Sequence, residues 1–321
     1  MTTAGGVPGW VDPELATLTS ERFSDPGWIF ERKLDGERCL AFADGSGVHL
    51  RTRNEKDVTT TFPEITAALA DQRRGDLVVD GEIVAFAGGQ TRFELLQRRL
   101  GVARPSADLL RASPVVYCVF DVLHADGRDL RELPLLQRKE VLGRSMAFAD
   151  PLRLVGHRAR EGEAYYAQAC REGWEGLVAK RADAAYRGGR TRDWLKFKCL
   201  NAQEFVVGGW TDPQRSRIGF GALLLGYLDA AGDLVYAGKV GTGFDSATLR
   251  SLADRLAGIE QDAPPFRSGR LPARGVHWVQ PRVVVQVVFA EWTDEGQLRQ
   301  ARFQGLRDDK DPKDVVREVP A

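Results

Sequence analysis

With 321 residues, 43% of them hydrophobic and 28% charged, the chain has room for two domains with separate cores and is too long for a small binding module. No apolar run approaches the ~20 residues of a membrane helix, and the first ten residues lack the basic flank and apolar core of a secretory signal, so a cytoplasmic monomer with no membrane partner is expected. Formal net charge is zero, which excludes a uniformly basic surface and leaves only local clusters, Arg181 to Lys198 and Arg267 to Arg282, to meet a polyanion.

In chain order, apolar runs bounded by Gly, Asp or charged residues predict strands over Trp28–Phe30, Cys39–Ala43, Val48–Arg51, Leu77–Phe86, Val115–Val122, Gly176–Lys180 and Trp194–Cys199. Helical spacing lies between them at Pro63–Arg73, Arg92–Leu100, Pro134–Phe148 and Glu161–Glu172, two of these opening on proline as helices favour. Together they predict an α+β domain over residues 1–200. From about Glu204 the pattern changes to short strands (Glu204–Trp210, Gly221–Leu228, Leu234–Val240, Val283–Glu291) with one helix, Ser246–Gly258. Residues 201–321 then have the outline of an OB-fold, a small β-barrel that commonly binds nucleic acid.

Cys39, Cys118, Cys170 and Cys199 lack CxxC spacing and read as small core residues, so neither a zinc site nor a disulfide framework is expected. The four histidines have no ligand spacing either, so any metal must be held by carboxylates.

The chemistry concentrates at turns. In Glu31-Arg32-Lys33-Leu34-Asp35-Gly36-Glu37-Arg38 a lysine leaves a strand at an Asp-Gly turn among further charges. A lysine is a nucleophile only when neutral, and nearby cations with partial burial are expected to lower its pKa and supply that form. Asp80-Gly81-Glu82 is a second acidic turn beside an apolar strand, Glu175 opens another strand, and alternation puts Lys196 and Lys198 on one face of theirs. Each has a bland explanation as strand-end charge, but a polyphosphate with Mg²⁺ needs this mixture of lysines and carboxylates.

These residues resemble the nucleotidyltransferase superfamily of ATP-dependent DNA ligases, RNA ligases and mRNA capping enzymes, and within it the bacterial ligase D ligase domain and its stand-alone relatives. Lys33 to Arg38 is similar to the KxDGxR signature, Arg51-Thr52-Arg53-Asn54 to the next motif, and Asp80-Gly81-Glu82 to DGE. Phe120-Asp121 resembles the FD motif, Glu175 to Lys180 EGxxxK, Trp194 to Lys198 WxKxK, and Phe303 to Lys310 the last motif, on the OB domain. The chain has Ala301 where relatives carry proline. It lacks the helical DNA-binding domain of larger ligases and the domains often fused to ligase D, so a minimal core or an excised domain is expected.

The resemblance implies attack of Lys33 on the α-phosphate of ATP, transfer of AMP to the 5′-phosphate of nicked double-stranded DNA, and sealing by the 3′-hydroxyl. It assigns the adenine to Glu31 and Phe120, the ribose to Glu82, sugar and phosphate to Arg38 and Arg53, and adds Arg190, ahead of WxKxK, to the nucleotide-binding residues. Lys196 and Lys198 would stabilise charge on the α-phosphate, and Arg307 and Lys310 would orient pyrophosphate. Mg²⁺, with Mn²⁺ as a substitute, would lie near Asp35, Glu82 and Glu175. A Ku-type end-binding protein or a polymerase is the expected partner. An RNA ligase or GTP-using capping enzyme is disfavoured by the OB signature and last motif, and a non-catalytic scaffold by the intact charges around Lys33.

Overall fold

The computed structural model describes residues 7–72, 75–213 and 218–319, so residues 1–6, residues 320–321 and Arg73, at the end of an expected helix, lie outside the described residues. Two compact units divide the chain, the first running to Cys199 and the second from Leu200 to Glu318. Among the described residues no helix is long and apolar enough to cross a membrane.

The first unit contains β1 (Glu14–Leu18), β2 (Trp28–Lys33), β3 (Glu37–Asp44), β4 (Gly47–Thr52), α1 (Pro63–Ala70), β5 (Leu77–Val84), α2 (Phe93–Gln97), α3 (Ala107–Ala112) and β6 (Val116–Ala125). It continues with α4 (Leu135–Ser145), β7 (Leu152–Leu154), β8 (His157–Ala159), α5 (Gly162–Arg171), β9 (Gly176–Arg181) and β10 (Gly189–Lys198). Two sheets result, ordered β7-β6-β5-β3-β4 and β1-β10-β9-β2-β8, with the short strand Arg128–Asp129 added to β6.

Period-two alternation sorts these strands into three apolar layers. Cys39, Ala41, Val79 and Val119 face a core closed by Ile65 and Leu69 of α1, Phe93 and Leu96 of α2, and Leu142 of α4. Their neighbours Leu40, Phe42, Val78 and Phe120 face the opposite way, into a layer with Trp194 and Val178 from the second sheet. On that sheet's far side Phe30, Leu177, Ala179 and Phe197 pack against Tyr165 and Ala169 of α5. Strands β1 and β8 and the helix α3 have too little apolar patterning to be read from sequence; β1 is fixed by parallel pairing with β10.

Two expectations are overturned: Asp80-Gly81-Glu82 is not a turn but the middle of β5, paired on both sides, and the cysteines are not all small core residues. Cys170 and Cys199 form a disulfide with Cα atoms 5.2 Å apart, while Cys39 and Cys118 are free and buried. The partners lie 29 residues apart in sequence, and only the return of β10 beside the end of α5 brings them together, which no local spacing announces.

The second unit has β11 (Asn201–Thr211), β12 (Leu223–Leu228), β13 (Leu234–Val240), α6 (Ser246–Ala257), β14 (Val276–Phe289) and β15 (Arg302–Leu306). Its sheet order is β13-β12-β11-β14, with Glu260–Gln261 and β15 both on β14. In both units strands outnumber helices, and among the described residues no pairing closes this sheet into a barrel. Both faces are buried: Phe205, Val207, Leu223, Leu225, Val283 and Val285 point to α6, and the intervening Val206, Leu224 and Val284 join Phe266 and Val315. Asp245 caps α6 by accepting from the Thr248 N–H at 2.7 Å.

Because the disulfide closes a long loop, reduction or the paired Cys170→Ala/Cys199→Ala change should lower stability by about 3 kcal/mol. Denaturant unfolding with and without dithiothreitol checks this, the double variant being insensitive to the reductant.

Candidate functional site

Alternation on the second sheet separates an apolar face from a charged one. Phe30, Leu177 and Phe197 take one face, so Glu31 and Lys33 of β2, Val178 and Lys180 of β9, and Lys196 and Lys198 of β10 take the other. Register aligns them in rows: Lys33, Gly176 and Lys198 in one, Glu31, Val178 and Lys196 in the next. Gly176 has φ +150° and a side chain there would meet the Phe197 carbonyl oxygen at 1.8 Å. With no side chain between them, Lys33 and Lys198 face the same opening from strands about 10 Å apart.

Lys33, the last residue of β2, holds Glu175 Oε2 at 2.7 Å, and neither side chain is more than a quarter exposed. Burial pulls the Lys33 pKa down, but Glu175, with Glu82 and Asp35 further off, outweighs it and raises the pKa above the ordinary lysine value. The expectation of a lysine made neutral by neighbouring cations is therefore incorrect for this state. The sequence shows how many charges crowd the turn, whereas the fold decides that the carboxylate is the nearer.

Glu31 is buried between two lysines, Lys139 of α4 and Lys180, the latter at 2.7 Å. Burial raises its pKa, and the two ammonium groups more than reverse that, leaving it below the ordinary glutamate value. Lys180 is lowered to about 8, first by burial and then by Lys139, against the opposing pull of Glu31 and Asp121. Its ammonium lies 3.8 Å from the Trp194 ring centroid and 4.1 Å from that of Phe120.

Arg38, on β3 in the other sheet, grips Asp80 through two hydrogen bonds of 2.5 and 2.6 Å and donates to the Glu14 carbonyl at 3.3 Å. Burial would lower its pKa, and Asp80 overrides that and raises it. Tyr186 donates to Asp80 at 2.6 Å and accepts from the Glu14 N–H at 3.0 Å, so one buried network ties both sheets. The Arg38 guanidinium also sits 4.5 Å from the Phe120 ring centroid. That ring, 7% exposed, stands edge-on to Trp194 at 5.9 Å. Asp121, the next residue, is clamped by Arg138 at 2.8 and 2.9 Å.

Glu82 is opposite Arg38 in the β3–β5 register, and Arg53 lies in the turn after β4. Arg190 donates to the Ala16 carbonyl at 2.6 Å on an exposed part of β10. The strands thus gather Glu31, Lys33, Arg38, Glu82, Phe120, Glu175, Lys196 and Lys198 in or beside the space between the two sheets. Asp35 acts on the Lys33 charge, but among the described residues no three His, Cys, Asp or Glu side chains form a metal cage. Glu175, which pairs with Lys33, and Glu82 and Asp35, which raise its pKa, are the carboxylates gathered at this point.

Lys139 and Tyr186 lie outside every motif named above, and Lys180, the lysine of the EGxxxK resemblance, is given no role there. Lys180 is available from alternation, two strand positions beyond Val178. For Lys139 the signal is subtler: Leu135, Arg138, Lys139 and Leu142 are the buried positions of α4, so two cations occupy helix positions that ordinarily carry apolar residues.

In the second unit Arg307 is nearly buried and forms hydrogen bonds of 2.8 and 2.7 Å with Asp309. Glu204 lies 3.5 Å from Arg307 and 3.4 Å from Lys310. Arg307 is thus fixed by Asp309 and Glu204, not by Asp308, which pairs with Arg255.

The profile described as ATP dependent DNA ligase domain matches residues 13–198, and that of the ATP dependent DNA ligase C terminal region matches residues 216–310. The multifunctional non-homologous end joining protein LigD of Pseudomonas aeruginosa is 38% identical over 98% of this chain, which spans 37% of that protein. A DNA ligase of Thermococcus fumicolans is 32% identical over 89% of the chain and 53% of its own length. Among solved structures, mycobacterial DNA ligase D complexed with ATP and MES superposes with a TM-score of 0.68 at 36% identity, covering 96% of this chain and 98% of that one.

Asp80→Asn should destabilise the protein by about 3–5 kcal/mol, because Arg38 would be left between the sheets without its anion. Urea unfolding measures this, and a loss below about 1 kcal/mol would mean that water reaches the guanidinium.

Proposed function

The chain belongs to the ATP-dependent DNA ligase family, and on that premise we propose that it seals 5′-phosphate/3′-hydroxyl nicks in double-stranded DNA through a covalent lysyl-AMP on Lys33. The supporting observation is the row Lys33–Gly176–Lys198, with Lys196 on the next row: three lysines on one face of one sheet, with Glu175 against the first. That arrangement suits an α-phosphate entering between the sheets, where charge developing in transfer needs fixed cations.

Lys33 rests as an ammonium ion on Glu175, so ATP must bind and the proton must leave before the amine can attack. A triphosphate and its Mg²⁺ ion bring new charge to that carboxylate, and Glu175, with Glu82 and Asp35 near, is the group assigned to the metal. The ion would offset phosphate charge. Glu31 and Phe120 are assigned to the adenine, Glu82 to the ribose, Arg53 to sugar and phosphate, and Arg190 to the nucleotide. Arg38 serves from its place against Phe120. In the second unit Arg307 and Lys310, held by Glu204 and Asp309, are assigned to the pyrophosphate.

The chain spans about a third of the length of the LigD proteins it matches. A role in DNA end joining, a Ku-type or polymerase partner, a cytoplasmic location and action as a monomer belong to the same proposal, supported by that likeness alone.

Lys33→Ala should abolish transfer of label from α-labelled ATP to the protein while leaving the circular dichroism spectrum unchanged; normal labelling would refute the assignment. Arg307→Ala should slow lysyl-AMP formation on the order of a hundredfold and spare sealing of a pre-adenylylated nick, which has no pyrophosphate to orient. Measuring the two steps separately checks this, equal losses pointing to a purely structural Arg307.

A further inference from the structure

We propose that Lys139 is a positioning residue of this site, clamping the strand that carries Lys33 to the opposite sheet by pairing with Glu31 and donating to the Phe120 carbonyl. The inference rests on the ligase reading above. Lys139 lies outside every motif named here, yet its ammonium reaches two residues that belong to different sheets. It pairs with Glu31 on β2 and donates to the Phe120 carbonyl on β6 at 3.0 Å.

Alternation places Glu31 on the same face of β2 as Lys33, two residues on. Any shift of Glu31 therefore moves the lysine. Lys139 itself cannot drift, because the preceding residue anchors α4: Arg138 donates to Asp121, to the Leu133 carbonyl at 2.6 Å and to the Ala184 carbonyl at 3.0 Å. The start of the helix is fixed as well, the Leu135 and Leu136 N–H groups donating to the Ala184 and Ala182 carbonyls. A buried lysine in such a frame contributes a fixed point, not merely a charge.

The clamp has an electrostatic signature. Glu31 faces Lys139 from α4, Lys180 from β9 and, in register across the sheet, His157 from β8. Tyr165 of α5 feels its charge, and Asp121 of β6 acts on Lys180. Arg38 of β3 lies over the Phe120 ring. With both lysines present, the Glu31 pKa is below the ordinary value, so its charge is lost only in acid. Removing Lys139 leaves burial opposed by Lys180 alone, so the Glu31 pKa must rise. Lys180 loses a like-charged neighbour at the same time, and its own pKa rises from about 8.

Lys139→Met, which keeps the length of the side chain, should slow lysyl-AMP formation on the order of a hundredfold and add a dependence on an acidic group below neutrality. Because His157 also titrates on the acid side, with its pKa lowered by burial and Lys139, the profile is measured in a His157→Gln background. Lys139→Arg keeps the charge and should restore both the rate and the flat acid limb. Carboxyl carbon-13 resonances, with Glu31 assigned through Glu31→Gln, read the same titration without activity, and should move to higher pH in Lys139→Met only. Unchanged adduct formation and an unchanged Glu31 titration in Lys139→Met would overturn the proposal. So would a Lys139→Arg variant as slow as Lys139→Met with no acid limb in either, since that pattern belongs to packing alone. If the unsubstituted protein forms no adduct with ATP, the ligase reading fails, and the Glu31 titration still decides whether the clamp exists.

Discussion

Charged side chains can enter the space between two sheets only if each meets an opposite charge there, because an ion moved from water without a partner costs several kcal/mol. The first unit satisfies that condition with pairs inside each sheet or between a sheet and a helix, and the same side chains then reach across through hydrogen bonds. Arg38 on one sheet reaches the backbone of β1 on the other while holding Asp80, and Tyr186 closes the same loop. Glu31 meets Lys180 within its own sheet and Lys139 from outside it. The side chains whose pairing makes burial tolerable are therefore also the ties that fix the two sheets against each other. Breaking one leaves its partner stranded, so these positions carry more than their own contact energy.

The same condition explains why Lys33 is not a ready nucleophile. A fold that buried a neutral amine would need no carboxylate beside it, whereas this one places Glu175 at 2.7 Å and keeps the proton. Resting on a carboxylate, the lysine is stable and its position is defined. The proton is held by the carboxylate, so only a change that draws Glu175 away from the amine would lower the Lys33 pKa.

The second unit uses burial differently. Its sheet is apolar on both faces, and a charged cluster of Arg307, Lys310, Glu204 and Asp309 sits where β15 ends beside β11. Asp309 has its pKa lowered, burial being outweighed by Arg307 and Lys310. Asp309 therefore keeps its charge to lower pH than an ordinary aspartate.

Much of this was legible in the chain itself. Alternation alone identifies the long strands and assigns Lys196 with Lys198 to a common face, because a strand's side chains obey a period fixed by covalent geometry; that β2 runs on through Glu31 to Lys33 is shown only by the fold. Motif order carries the family, since each motif is a local pattern, although Asp80-Gly81-Glu82 is a strand segment and not the expected turn. What the sequence could not decide is every relation between strands distant in the chain. The disulfide of Cys170 with Cys199 depends on where β10 returns. The charge state of Lys33 depends on which of several nearby charges stands closest, and it is a residue 142 positions away that does. Lys139 becomes part of the site only when α4 is laid across both sheets. Pairwise electrostatics falls with distance, and distance between residues remote in sequence exists only once the chain has folded.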